Sequence, residues 1–130
     1  GKMEWIFVAA GGAIGCCLRY ALGKGLAASP MRLPLATLAA NVLAGFLIGL
    51  FAGVERQTAW PPPRLKLFLT TGLLGGLSTF STFSLETCNL LWARHWGAAA
   101  LNAAANLLLS LAGAALGMVA ARLLFGARQG

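Results

Sequence analysis

Four stretches of this chain carry no charge at all: residues 5–18, 33–54, 67–85 and 96–121. A helix that crosses a bilayer needs about 20 mostly apolar residues. Three of the stretches meet that length nearly or fully, and the first does so if its span continues through Arg19 to Leu22. Soluble domains usually carry about 25% charged residues. Here charged residues make up 10% and hydrophobic ones 58%, too few charges to coat a water-soluble surface, so lipid must be part of the solvent. A cleavable signal peptide would be one apolar segment ahead of a soluble domain, and four segments exclude it. The expectation is a single all-α membrane domain over residues 1–130. Its four transmembrane helices should lie at about 5–25, 35–54, 65–93 and 96–124. Trp5, Trp92 and Trp96 fall at span ends, where amphipathic rings favour the headgroup zone, and Trp60 lies in the second loop. Ser29-Pro30 and Pro34 punctuate the first loop, and Pro61-Pro62-Pro63 stiffens the second.

The same charge pattern excludes other classes. A net charge of +7 could suggest nucleic acid, but the ten basic residues are scattered over span ends and short loops with no basic stripe. Anionic lipid headgroups account for them better. Cys16, Cys17 and Cys88 fall inside spans, are odd in number and lack metal-ligand spacing, so they read as small packing residues. His95 has no Cys or carboxylate partner near it in sequence, and no nucleophile stands beside a base, so the chain is not expected to be an enzyme.

Glycines recur every four residues: Gly11 and Gly15 in the first span, Gly45, Gly49 and Gly53 in the second, Gly113 and Gly117 in the fourth. Such ridges let helix backbones approach closely in lipid, where no hydrophobic effect drives association. Orientation is more informative. One side collects Lys2, Arg56, Arg64, Lys66, Arg122 and Arg128; the other collects Arg19, Lys24, Arg32 and Arg94. Six against four is too even for the positive-inside rule to fix topology. The balance predicts insertion both ways, and two inverted copies could pair about a twofold axis in the membrane plane.

The third segment contains Gly75-Gly76 followed by five hydroxyls between Ser78 and Ser84 (Ser78, Thr79, Ser81, Thr82, Ser84). Glycine loosens a helix and hydroxyls compete for its backbone bonds. The prediction is a helix broken at mid-membrane depth, tolerated only where protein or water satisfies the freed groups. Carbonyls exposed at such a break can bind a cation. Phe80 and Phe83, three apart, share a helix face. They are either lipid-facing bulk or rings offering positively polarised edges to an anion. Thr37 and Asn41 on the second span, and Asn102, Asn106 and Ser110 on the fourth, repeat every four residues. They form either a polar track or interhelical glue. Arg19 and Glu86 are the ionisable residues placed in or near the spans, each needing a partner, a wet cavity or an interface position; Arg19 could also snorkel to the headgroups.

On these residues the sequence resembles the small bacterial fluoride channels, the Fluc or CrcB family. The matching positions are Gly11-Gly12, Gly15 and Arg19-Tyr20 in the first span, and Thr37, Asn41, Gly45 and Gly49 in the second. In the third span the match runs from Gly75-Gly76-Leu77-Ser78-Thr79-Phe80-Ser81-Thr82-Phe83-Ser84 to Glu86. The resemblance covers nearly the whole chain, and the third-span motif is the specific part. It implies a multi-pass protein of the plasma (inner) membrane, an antiparallel dual-topology homodimer with two fluoride pores, exporting the ion passively. It implies a structural sodium ion at the dimer centre, held by the backbone carbonyls of Gly75 and Ser78 from each subunit. It implies that Phe80 and Phe83 turn ring edges to fluoride, that Asn41 donates its amide, and that Asn106 and Ser110 form a hydrogen-bonding track with Thr37, Ser81 and Thr82. The family often has Thr at the position of Ser78, and Ser or Tyr at those of Asn102 and Asn106. A carbonyl ligand tolerates the first change.

Fluoride is small and strongly hydrated, so a pore must replace its water with donors, which amides and hydroxyls are. The candidate track is neutral, as conduction through weak, multiple sites requires. Two rivals differ in class. A small multidrug exporter also has four spans, but it needs a carboxylate within the first span, and here Glu4 sits at its very start. A non-transporting scaffold would use the glycine ridges and leave the polar positions unexplained.

Overall fold

The computed structural model describes residues 1–26 and 33–126. Ser29-Pro30 and, among the basic residues counted above, Arg32 and Arg128 lie outside the described residues. Three long helices, α1 (Lys2–Gly25), α2 (Leu35–Gln57) and a last helix, α6 (Trp96–Phe125), are each long and apolar enough to cross a membrane. The third segment is divided. It runs through α3 (Pro63–Leu67), a π-helical stretch (Phe68–Leu74), α4 (Gly75–Leu77) and, after two extended residues, α5 (Phe80–Trp92). Pro63 opens α3 at a position where its missing N–H is not needed. The segment therefore starts two residues earlier than expected.

Burial is inverted relative to a soluble bundle. Asn102 is 0% exposed and Ala40, Ala99 and Ala121 are equally buried, while Leu108, Leu116 and Leu123 face outward. Large apolar side chains have no reason to hide from lipid tails, whereas small residues allow close backbones and buried amides find partners. Trp5, Trp92 and Trp96 are all exposed at helix ends, as expected of an aromatic belt.

The glycine ridges set the helix pairs. A methyl group on Gly49 would collide with the Ala114 carbonyl, and one on Gly117 with the Phe46 carbonyl, so α2 and α6 touch backbone to backbone. Likewise Gly15 lies against the Leu73 carbonyl, and α1 thereby packs along the π-helical stretch and α4. The short α5–α6 turn closes with Arg94 in the left-handed region at φ 63°. There the Arg94 N–H donates to the Leu91 carbonyl and the His95 N–H to the Leu90 carbonyl. At the other end Lys66 Nζ meets Glu55 Oε1 at 2.8 Å, an exposed pair that ties the second loop with little energy.

Candidate functional site: a helix break faced by asparagines and phenylalanines

The third segment breaks where the sequence is richest in glycine and hydroxyls. Ser78 (φ −79°, ψ 156°) and Thr79 (φ −152°, ψ 121°) are extended. The Ser78 N–H and hydroxyl both turn back to the Leu74 carbonyl. Thr79 caps α5, its Oγ1 accepting from the Thr82 N–H at 3.1 Å. Two neighbouring helices satisfy freed backbone groups. From α2, Asn41 Oδ1 accepts from the Thr79 N–H at 2.8 Å and Asn41 Nδ2 donates to the Thr79 carbonyl at 3.1 Å. From α1, Arg19 Nε donates to the Gly76 carbonyl at 3.1 Å. Arg19 thus points inward to the break, and the snorkelling alternative is set aside.

These bonds leave two carbonyls without their helical donors. The donor four residues beyond Gly75 is the Thr79 N–H, which goes to Asn41. The donor four residues beyond Ser78 is the Thr82 N–H, which goes to Thr79 Oγ1. A polar chain then runs away from the break along α6. Asn41 Nδ2 also donates to Asn106 Oδ1 at 2.9 Å; Asn106 Nδ2 donates to the Asn102 carbonyl at 2.9 Å and to Asn102 Oδ1 at 3.1 Å. Asn102 Nδ2 donates to Thr87 Oγ1 at 3.0 Å, and the Thr87 hydroxyl to the Phe83 carbonyl at 2.8 Å.

Beside this chain lies a groove of about 520 Å³ lined by Asn41, Asn106, Ser110, Thr79, Phe80 and Phe83, with Gly75 and Ser78 on its wall. The two phenyl rings stand 5.3 Å apart at 58°, and Phe80 is exposed. Ser110 Oγ is buried on the groove wall without a partner among the described residues. Residues 6–118 match the family described as CrcB-like protein, camphor resistance (CrcB). The chain belongs to the CrcB family. It is 45% identical over 116 residues to the fluoride-specific ion channel FluC of Geobacter sulfurreducens, covering 88% of this chain and 94% of the relative. It is 42% identical over 123 residues to that of Magnetococcus marinus, covering 94% and 100%. With its apolar helices, this CrcB member is a multi-pass inner-membrane protein, and its relatives are channels and not enzymes.

In this CrcB chain the positions expected to line one pore divide between two cavities. Asn41, Phe80, Phe83, Asn106 and Ser110 share the groove. Thr37 and Thr82 line a second cavity of about 450 Å³, with Arg19, Tyr20, Lys24 and Glu86. Glu86 Oε1 is buried with no hydrogen-bond partner among the described residues, and no ion pair joins it to Arg19 there. Ser81 lines neither cavity; its Oγ lies 3.3 Å from Thr79 Oγ1. The two linings are neighbours along the same helices: Thr37 and Asn41 are one turn apart on α2, and Thr79 and Thr82 one turn apart at the start of α5. Sequence reasoning missed Thr79 as the cap and Thr87 as the end of the amide chain. The hydroxyl run gave a signal for the first; Thr87, five residues beyond Thr82, gave none. Both N–H groups of Asn41 are engaged, so it faces the groove with no spare donor.

Proposed function

We propose that the protein is a fluoride-selective channel through which the ion leaves the cytoplasm passively, working as an antiparallel, dual-topology homodimer with two pores. The observation that carries this is the meeting of neutral amides, a hydroxyl and a phenyl pair on one groove at a helix break. A small anion needs donors and polarised ring edges in place of water; the groove brings the Ser110 hydroxyl, unpartnered among the described residues, and two phenyl rings beside the engaged amides, with no cation to trap it. The names of the relatives point the same way. The near-even split of basic residues supports insertion in both orientations.

The break also fits a sodium ion. The Gly75 and Ser78 carbonyls, freed of their helical donors, are hard oxygen ligands of the kind such a cation takes. Held between two subunits, the ion would supply a fixed positive charge that offsets the penalty on an anion at mid-membrane depth.

The test is efflux from liposomes containing only this protein, loaded with fluoride or with chloride. Fast fluoride loss with negligible chloride loss is expected; equal rates, or no fluoride loss, would end the proposal. Phe80→Ile and Phe83→Ile should each reduce fluoride flux about tenfold, the size of one aromatic-edge interaction. Size-exclusion profiles should remain those of the intact dimer. Full flux in both variants would remove the rings from the ion path.

A further inference from the structure

The hydrogen bonds from Asn41 to Phe83 all point one way, and that direction is wrong for an anion. Asn41 is oriented by the backbone: its Oδ1 must accept from the Thr79 N–H, so its Nδ2 faces the Thr79 carbonyl and Asn106. Asn106 therefore turns its carbonyl oxygen to Asn41 and both its N–H groups to Asn102. Asn102, 0% exposed, passes the direction on to Thr87, whose hydroxyl ends on the Phe83 carbonyl. A fluoride ion reaching Asn41 meets an acceptor at Asn106 and donors that are already used.

The side-chain links from Asn106 through Asn102 to Thr87 are reversible. Thr87 can turn its O–H from the Phe83 carbonyl to Asn102 Oδ1. A half-turn of the Asn102 amide then aims its Nδ2 at Asn106 Oδ1, and a half-turn of Asn106 aims its Nδ2 at the groove. Asn106 and Asn41 would then both donate to the ion. No proton changes owner, and each bond lost between side chains has a replacement; the bonds to the Asn102 and Phe83 carbonyls are given up, and Asn106 Oδ1 turns toward the Asn102 carbonyl, a cost the ion's two new bonds offset. The Phe83 and Asn102 carbonyls, inside α5 and α6, keep their helical donors. Building on the channel reading, we propose that Asn102 and Thr87 are positioning residues that set which end of the Asn106 amide faces the groove, and that fluoride passing Asn41 reverses the chain. Neither residue lines the groove: Asn102 acts through Asn106, and Thr87 through Asn102 and through its bond to the Phe83 carbonyl. The reversal also discriminates: a strong acceptor such as fluoride can replace the Asn106 oxygen on Asn41, whereas a larger, weaker acceptor such as chloride leaves the chain as it stands.

The test compares Thr87→Val, which keeps the shape and removes the hydroxyl, with Thr87→Ser, which keeps the hydroxyl. Thr87→Val should lower fluoride efflux about tenfold, the worth of one buried hydrogen bond, and Thr87→Ser should recover most of it. A second readout uses the wild-type protein with ¹⁵N-labelled asparagine in lipid. The Asn106 side-chain amide, assigned by its loss in Asn106→Leu, should shift and couple to ¹⁹F in potassium fluoride but not move in potassium chloride. A conducting wild type with an unmoved Asn106 amide overturns the reversal, whether or not Thr87→Val assembles. So does full flux in Thr87→Val. A wild type that conducts no fluoride instead overturns the channel reading itself.

Discussion

Asn41→Asp should lower fluoride flux at least about a hundredfold, more than any other single substitution at the groove. Asp keeps the shape of Asn, and one carboxylate oxygen can still accept from the Thr79 N–H. The other oxygen replaces Nδ2 and faces two acceptors, the Thr79 carbonyl at 3.1 Å and Asn106 Oδ1 at 2.9 Å. The contact with the Thr79 carbonyl becomes repulsive and leaves an unpaired group at about 1–3 kcal/mol, while Asn106 must turn its Nδ2 to the carboxylate and is no longer available to the ion. A carboxylate about 4 Å from the ion adds repulsion of about 4 kcal/mol at an effective dielectric constant near 20. Asn41→Leu removes the same bonds without the charge, so its loss should be smaller. Efflux from liposomes, alongside the dimer profile in detergent, separates the two contributions. Equal losses in both variants would mean that the residue only supports the helix break. Undiminished flux in Asn41→Asp would take it out of the ion path.

The parts of this molecule written in local composition were legible, and those written in three-dimensional pairing were not. Charge-free runs and tryptophan edges located the helices within a few residues, because a bilayer imposes a length on any span. The break at Ser78-Thr79 was legible because Gly75-Gly76 and a run of hydroxyls weaken a helix wherever it sits. The glycine ridges were legible as faces of close backbone approach, but which helix each would meet was not. The π-helical stretch was hidden: nothing in residues 68–74 marks the wider turn, which is seen only with Gly72 packed against the Val8 carbonyl of α1. Thr37 and Thr82 could not be assigned to a cavity of their own, because helical spacing fixes a face and not its neighbour. Arg19 could be read as snorkelling or as paired. Only the position of the Gly76 carbonyl decides between them. For the same reason Asn102 and Asn106 gave a stripe but no direction of donation, which the Thr79 N–H sets from another helix.

Gly49→Ala should destabilise the protein by about 3 kcal/mol, the upper end of ordinary overpacking. The added methyl group meets the carbonyl of Ala114, a backbone group that cannot rotate aside. The contact recurs along the same seam, where Gly45 faces the Ser110 carbonyl and Gly117 the Phe46 carbonyl, so α2 and α6 can relieve it only by moving apart together. Gly97→Ala is the matched control. Nothing lies within 4 Å of a methyl group there, and removing a flexible glycine from a helix should add about 0.5–1 kcal/mol. Thermal unfolding in detergent should therefore move in opposite directions for the two substitutions. The seam also reaches the site. Asn41 lies on α2 two turns before Gly49, and its 2.9 Å bond to Asn106 crosses from α2 to α6. Separating the helices by an ångström would lengthen that bond beyond useful range. Gly49→Ala should then lose fluoride flux even at temperatures where it stays folded, though no side chain at the groove has changed. A Gly49→Ala protein with wild-type stability and flux would mean that the α2–α6 contact does not set the distance between the two asparagines.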